Sequence, residues 1–195
     1  MSDFNLNRFT AAIKKNGISR PARFEIDIAV RPGSSGVSLM CEISQLPGIN
    51  VTTKQFRIQG PAYQMPVGME FNGEGIPMTF YVDKNLEIKK YFETWLYSIV
   101  NPNSFNVRYQ KEYVCPITIY QLDETDKRKY AVSLIDAFPR AISQMDLNAA
   151  AANQMHRLTV MFAYRKWEVI TPYNTKDDYR DNIKSPYQFQ PLSKT

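Results

Sequence analysis

The residues with chemistry to offer are few, and they do not converge on a motif. The single histidine, His156, opens an apolar alternating stretch with no cysteine or carboxylate at ligand spacing, so the donor cluster that a tetrahedral metal needs is missing. A hydrogen-bonded residue at a strand end is its plain reading. With one histidine and no G-x-S-x-G context, a Ser-His-Asp arrangement has no signal either. Cys41 and Cys115 are the only cysteines, and each lies inside an apolar alternating segment, where a free thiol behaves as a small buried hydrophobe. Gly73-Glu74-Gly75 lacks the following Lys and Ser/Thr of a phosphate loop. Asp83, Asp123, Asp136 and Asp146 stand at or just beyond expected strand ends, where turn and cap roles explain carboxylates better than acid-base work does. The expectation is therefore no catalytic, cofactor-binding or metal residue, no cofactor and no enzyme.

One stretch points elsewhere. Arg108-Tyr109-Gln110-Lys111-Glu112-Tyr113 interleaves rings with cations, which is one way to hold single-stranded nucleic acid. Glu112 dilutes the charge, and a tyrosine flanking a strand beside an exposed lysine is the commoner arrangement. The formal charge of +5 keeps a polyanionic partner in view, yet no run of five like charges occurs, which suits a solvated surface of mixed sign. A basic β-barrel that binds nucleic acid as a free protein is one alternative. A closed barrel holding a small apolar ligand is another.

The 195 residues are enough for one well-buried core. Twelve tyrosines, eleven phenylalanines and two tryptophans favour strands, because flat rings pack well on a half-buried pleated surface. The class expected is mainly β (α+β): an antiparallel β-sandwich or barrel with one flanking α-helix. The N-terminus lacks the apolar core of a signal peptide, and no apolar run is long enough to cross a bilayer, so no membrane anchoring is expected and the chain should be used in the cytosol or in something assembled there.

Residues 7–15 carry Phe9, Ala12 and Ile13 at helical spacing and stop at Gly17. From Arg23 to Val30 the apolar positions alternate, and beyond the turn-rich 31–36 a second alternation runs through Val37, Leu39, Cys41 and Ile43. The two read as a hairpin. Residues 49–75 turn polar, with prolines and glycines, and read as an extended, partly stranded excursion of the kind that serves interactions. Ile76–Val82 is a strand. Asn85–Val100 places Ile88, Phe92, Trp95, Leu96 and Ile99 on one stripe, the strongest helix of the chain. Strands follow at Val114–Leu122, Tyr130–Phe138 and Arg157–Glu168, the first two joined as a second hairpin. Between the last two, Leu147–Asn153 holds four consecutive alanines, enough for one helical turn. The division expected is a single β domain over 1–170 and a C-terminal extension over 171–195 that must lean on something else to be ordered.

The ordered set of segments resembles the tail tube protein family of contractile-tailed bacteriophages. Arg20-Pro21-Ala22-Arg23-Phe24 leads the first strand, Leu46-Pro47-Gly48 closes the second, and Phe92-Glu93-Thr94-Trp95 sits in the helix. Ile135-Asp136-Ala137-Phe138-Pro139 follows the penultimate strand, and the last strand ends in Trp167-Glu168. The resemblance spans about residues 7 to 168 and extends to inner-tube proteins of contractile injection and type VI secretion machines. It implies a homo-oligomer of stacked hexameric rings, with sheets joining between subunits into a ring-shaped barrel. Tail sheath and baseplate proteins are the implied partners, and double-stranded DNA passes through the lumen without specific binding. The implied location is the virion tail, assembled in the host cytoplasm. A baseplate tube initiator, a terminator ring or an injection-system inner tube fits the same resemblance.

Overall fold

The structure is a computed structural model that describes residues 6–28, 34–57, 59–71, 75–148 and 154–170. The extension over 171–195, the four-alanine run and the Gly73-Glu74 pair lie outside the described residues.

Helix α1 (Leu6–Asn16) ends where Gly17, at φ +72°, donates its N–H to the Ile13 carbonyl. Glycine takes that left-handed stop without a Cβ penalty. Strand β1 (Phe24–Ile28) follows, buried at Ile26 and Ile28. The hairpin expected next is absent. Residues Ser34–Leu39 form a short helix, α2, and only Cys41–Ile43 remain extended as β2. β1 pairs with a strand from the far half of the chain, while β2 lies at the other end of the strand order. The physical reason is that a short apolar run satisfies either period. Here Val37 is driven into the core while Leu39 stays in water, which a helical turn allows and a one-faced strand does not.

Strands β3 (Ile49–Phe56) and β4 (Tyr63–Phe71) make a two-stranded sheet of their own. β5 (Ile76–Tyr81) re-enters the core with perfect alternation, burying Ile76, Met78 and Phe80. Its entry requires Gly75, at φ +86°, because a Cβ there would stand 2.3 Å from the Phe162 carbonyl oxygen. Helix α3 (Glu87–Ile99) buries Ile88, Phe92, Trp95 and Ile99, the stripe expected of it. Phe92 lies 4.9 Å from Phe80 and 5.8 Å from Phe162 between ring centres, and the Trp95 indole donates to the Tyr113 carbonyl at 2.8 Å. After the single turn α4 (Gln110–Tyr113) come β6 (Cys115–Leu122), β7 (Arg128–Ile142), β8 (Arg157–Ala163) and β9 (Lys166–Ile170). β6 and β7 form the expected hairpin.

The last expected strand is thus two. β8 and β9 break at Tyr164-Arg165 because β7, which they follow along its length, bends at Asp136. Asp136 is the corner of a strand rather than its end: its φ is +57°, the ladder to β6 shifts register there, and its carboxylate accepts the Arg165 Nε–H at 2.5 Å. A bulge of this kind turns one long strand into a member of two sheets. The result is mainly antiparallel β, in the order β1-β6-β7-β8-β5-β2 with β9 also on β7, a nearly closed barrel with α2 packed on β1 and α3 on β7. Its end strands, β1 and β2, do not pair with each other.

Candidate functional site: an assembly surface

The sequence-singled residues take structural places. His156 is exposed, and its carbonyl accepts the Val82 N–H at 3.0 Å. No group of three or more His, Cys, Asp or Glu that could hold a metal occurs among the described residues. Cys115 is buried. Cys41 is half-buried, its thiol donating to the Ile43 carbonyl at 3.4 Å, and burial pushes that thiol up to about 12. Asp83 caps α3 by accepting the N–H groups of Asn85 and Ile88. Desolvation pushes its carboxyl up, and those backbone donors outweigh it, so the net shift is downward. Asp123 closes the β6–β7 turn, accepting the Thr125 hydroxyl and N–H and the Lys127 N–H at 2.7 to 2.9 Å. The Thr125 hydroxyl above all holds it down to about 2. Asp146 lies in the irregular segment after β7. In the Arg108–Tyr113 stretch, Tyr113 packs edge-on against Phe138 at 5.4 Å, which leaves Tyr109 as the stretch's exposed ring.

What the fold does present is unfinished surface. In strands β3 and β4 every residue but Thr52 and Phe71 is exposed, including Ile49, Val51, Phe56, Met65, Val67 and Met69. An isolated two-stranded hairpin is marginal in water at best, so this one needs a neighbour for permanence. Its root is tied to the barrel through Trp167 of β9. The indole N–H donates to the Gly48 carbonyl at 3.1 Å, just before β3, and the ring meets Phe71, the last residue of β4, edge to face at 6.2 Å. Leu6 and Phe9 of α1 also stand in water.

The four strands β1-β6-β7-β9 have one apolar face on the core and one wet face. The wet face carries Glu25 and Asp27, Thr118 and Tyr120, and Lys166 and Glu168, as the registers require, with Ala131 and Ser133 of β7 buried beneath these longer side chains. Its cations are neutralised in place. Arg128 holds Glu25 at 2.9 Å and lies 4.0 Å over the Tyr120 ring, and Lys166 holds Glu168 at 2.5 Å. On the second sheet of the barrel, that of β8, β5 and β2, Arg157 grips Glu42 through two nitrogens while the Tyr81 hydroxyl donates to the same carboxylate, and these contacts, the guanidinium first, hold Glu42 below its ordinary range.

The part that sequence reasoning missed is the clamp at Trp167, which was visible only as half of an aromatic-acid pair. No sequence signal joins it to Gly48, 119 positions away.

Residues 3–170 match the family model described as phage tail tube protein. No curated protein matches the sequence. In fold the chain is similar to a chain of the sheath-tube complex of an extracellular contractile injection system, PVC, in its extended state. That match has 15% identity and a TM-score of 0.60 and covers 83% of this chain and 97% of that one. It is similar too to the tube terminating cap of the anti-feeding prophage (16% identity, 79% of this chain and 91% of that one, TM-score 0.58). A chain of the anti-feeding prophage baseplate matches with 16% identity, 79% and 98% coverage and a TM-score of 0.56. At such identities the likeness is one of fold.

Proposed function

We propose a structural role from one premise: the chain belongs to the phage tail tube protein family. It is the subunit of a tail tube, assembling into stacked hexameric rings whose sheets run on from copy to copy, and the tube is the conduit through which double-stranded DNA leaves the particle. Residues 1–170 act as one folding unit, and 171–195 as an extension ordered by a neighbouring subunit, the sheath or the baseplate. The location is the tail of the virion or of a related injection particle. The subunit works by geometry and catalyses nothing.

The observation that carries this reading is the β3–β4 hairpin, two strands of eight and nine residues standing off the core with apolar side chains in water. Such an element gains its order from a partner. Stacking of rings supplies one at every level of a tube. Unpaired strand edges in the same molecule are a standing hazard unless copies close them. A sliding polyanion also needs a wall without free cations, since fixed phosphate contacts would hold DNA through counterion release. The paired Arg128 and Lys166 fit that need.

The test is electron microscopy of the purified chain at high concentration. Rings or tubes are the expected result, and deletion of 50–70 should leave a folded subunit that no longer makes long tubes. A monomer at every concentration that binds a DNA column in a salt-dependent way would replace this reading with the free nucleic-acid-binding barrel.

A further inference from the structure

The joint between copies is legible in the hydrogen-bond parity of the sheet, and we infer that the outer edge of β1 in one copy pairs, antiparallel, with the outer edge of β9 in the next, with Ile26 opposite Trp167 and Phe24 opposite Val169. This rests on the tube-subunit reading and adds to it the edges, the register and the face that lines the bore.

Leu122 donates its N–H to the Arg23 carbonyl, so Arg23, Glu25 and Asp27 turn their backbone groups toward β6 while Phe24, Ile26 and Ile28 turn theirs outward. Ile28 shows this directly, since its N–H reaches the Ser38 hydroxyl of α2 rather than β6. The alternation carries across the sheet. Ile26 sits opposite Ile119 as a non-bonded pair, Ile119 therefore bonds Val132, and Val132 faces Val169 as a non-bonded pair. Trp167 and Val169 thus turn their backbone groups to the outer edge of β9. On both edges the outward-turned residues are the ones whose side chains point to the core, so joining them keeps core face with core face and wet face with wet face. Strand direction agrees as well: β1, β6, β7 and β9 alternate, so β9 of a neighbour runs antiparallel to β1.

Register follows from groups already in use. Shifting so that Ile26 meets Val169 would set Ile28, whose N–H is on Ser38, against Trp167. The opposite shift would set Ile26 against Arg165, whose N–H is on the Ile135 carbonyl. Between them, the chosen register joins strand groups that have no backbone partner among the described residues and sets Asp27 beside Lys166. It also brings Glu25 beside Glu168, each carrying its own cation. The other sheet is a poor rival, because its end strand β2 has three residues and a register shift.

The bore face then has one solution. The core face of this sheet is covered by α3 and the second sheet, so the face carrying Glu25, Asp27, Thr118, Tyr120 and Glu168 looks inward. Four strands from each of six copies, about 4.8 Å apart, trace a circle about 37 Å across at the backbone, and side chains narrow it to roughly 25 Å. A duplex fits.

The test is disulfide trapping. Opposed non-bonded pairs bring Cα atoms to about 4.5 Å, inside disulfide range. Assembled E25C/E168C protein should give an oxidation ladder of covalent multimers, at least tenfold stronger than E25C/K166C or E25C/I170C. Mixing the single variants E25C and E168C gives the same readout if the double variant assembles poorly. Rings or tubes with no ladder, or with the ladder in a shifted pair, would overturn the joint while leaving the tube reading intact. Wild-type protein that forms no ring or tube would overturn both.

Discussion

Trp167 is the most informative residue to change, because one side chain ties the hairpin to the barrel. Trp167→Phe keeps a ring against Phe71 and removes the indole bond to the Gly48 carbonyl. A net hydrogen bond is worth about 0.5–1.5 kcal/mol. Trp167→Ala removes the ring pair too, a further 0.5–1.5 kcal/mol or so beyond its buried area. The hairpin has little else to hold it, so this loss falls on its docking: about threefold to tenfold more opening for Phe, and on the order of a hundredfold for Ala, at tenfold per ~1.4 kcal/mol. Hydrogen exchange on the isolated subunit reads it out. The β3 and β4 amides should exchange faster by those factors, while the amides of β6 and the first half of β7 keep most of their protection. Tube formation should slow in the same order, wild type, Phe, Ala. If hairpin exchange in Trp167→Ala equals that of wild type, the clamp is not what docks the hairpin, and its coupling to assembly is wrong.

Two further outcomes follow from single positions. Gly75→Ala puts a Cβ 2.3 Å from the Phe162 carbonyl oxygen on a backbone at positive φ, so β5 must part from β8. A loss of about 2–4 kcal/mol, read as a lower urea midpoint, is expected, and an unchanged midpoint would refute it. Asp123 is held down to about 2 from an ordinary value near 3.8, the Thr125 hydroxyl being the main cause. Because its folded value is the lower one, its contribution is complete above pH 4 and is lost as pH falls through about 2. Asp123→Asn should therefore flatten the acid arm of the stability curve over that window while lowering stability at neutral pH, and a parallel curve would argue against the assignment.

Much of this protein is written in local pattern. The stripe through Phe92 and Trp95 made α3, and the alternation in Ile76–Tyr81, Cys115–Leu122 and Arg157–Ala163 made strands. Those patterns work alone because one buried face selects one period. The excursion after Gly48 was equally plain, and it holds β3 and β4. Three things were decided only in three dimensions. Residues 34–39 could take either period, and the choice of helix came from burying Val37 and capping Ile28 with Ser38. The corner at Asp136 came from Arg165, 29 positions on, and it broke one expected strand into β8 and β9. The hairpin root came from Trp167 meeting Gly48 and Phe71. Each depends on groups remote in sequence arriving at hydrogen-bond distance, and residue spacing along a chain carries no record of which distant carbonyl a side chain will find.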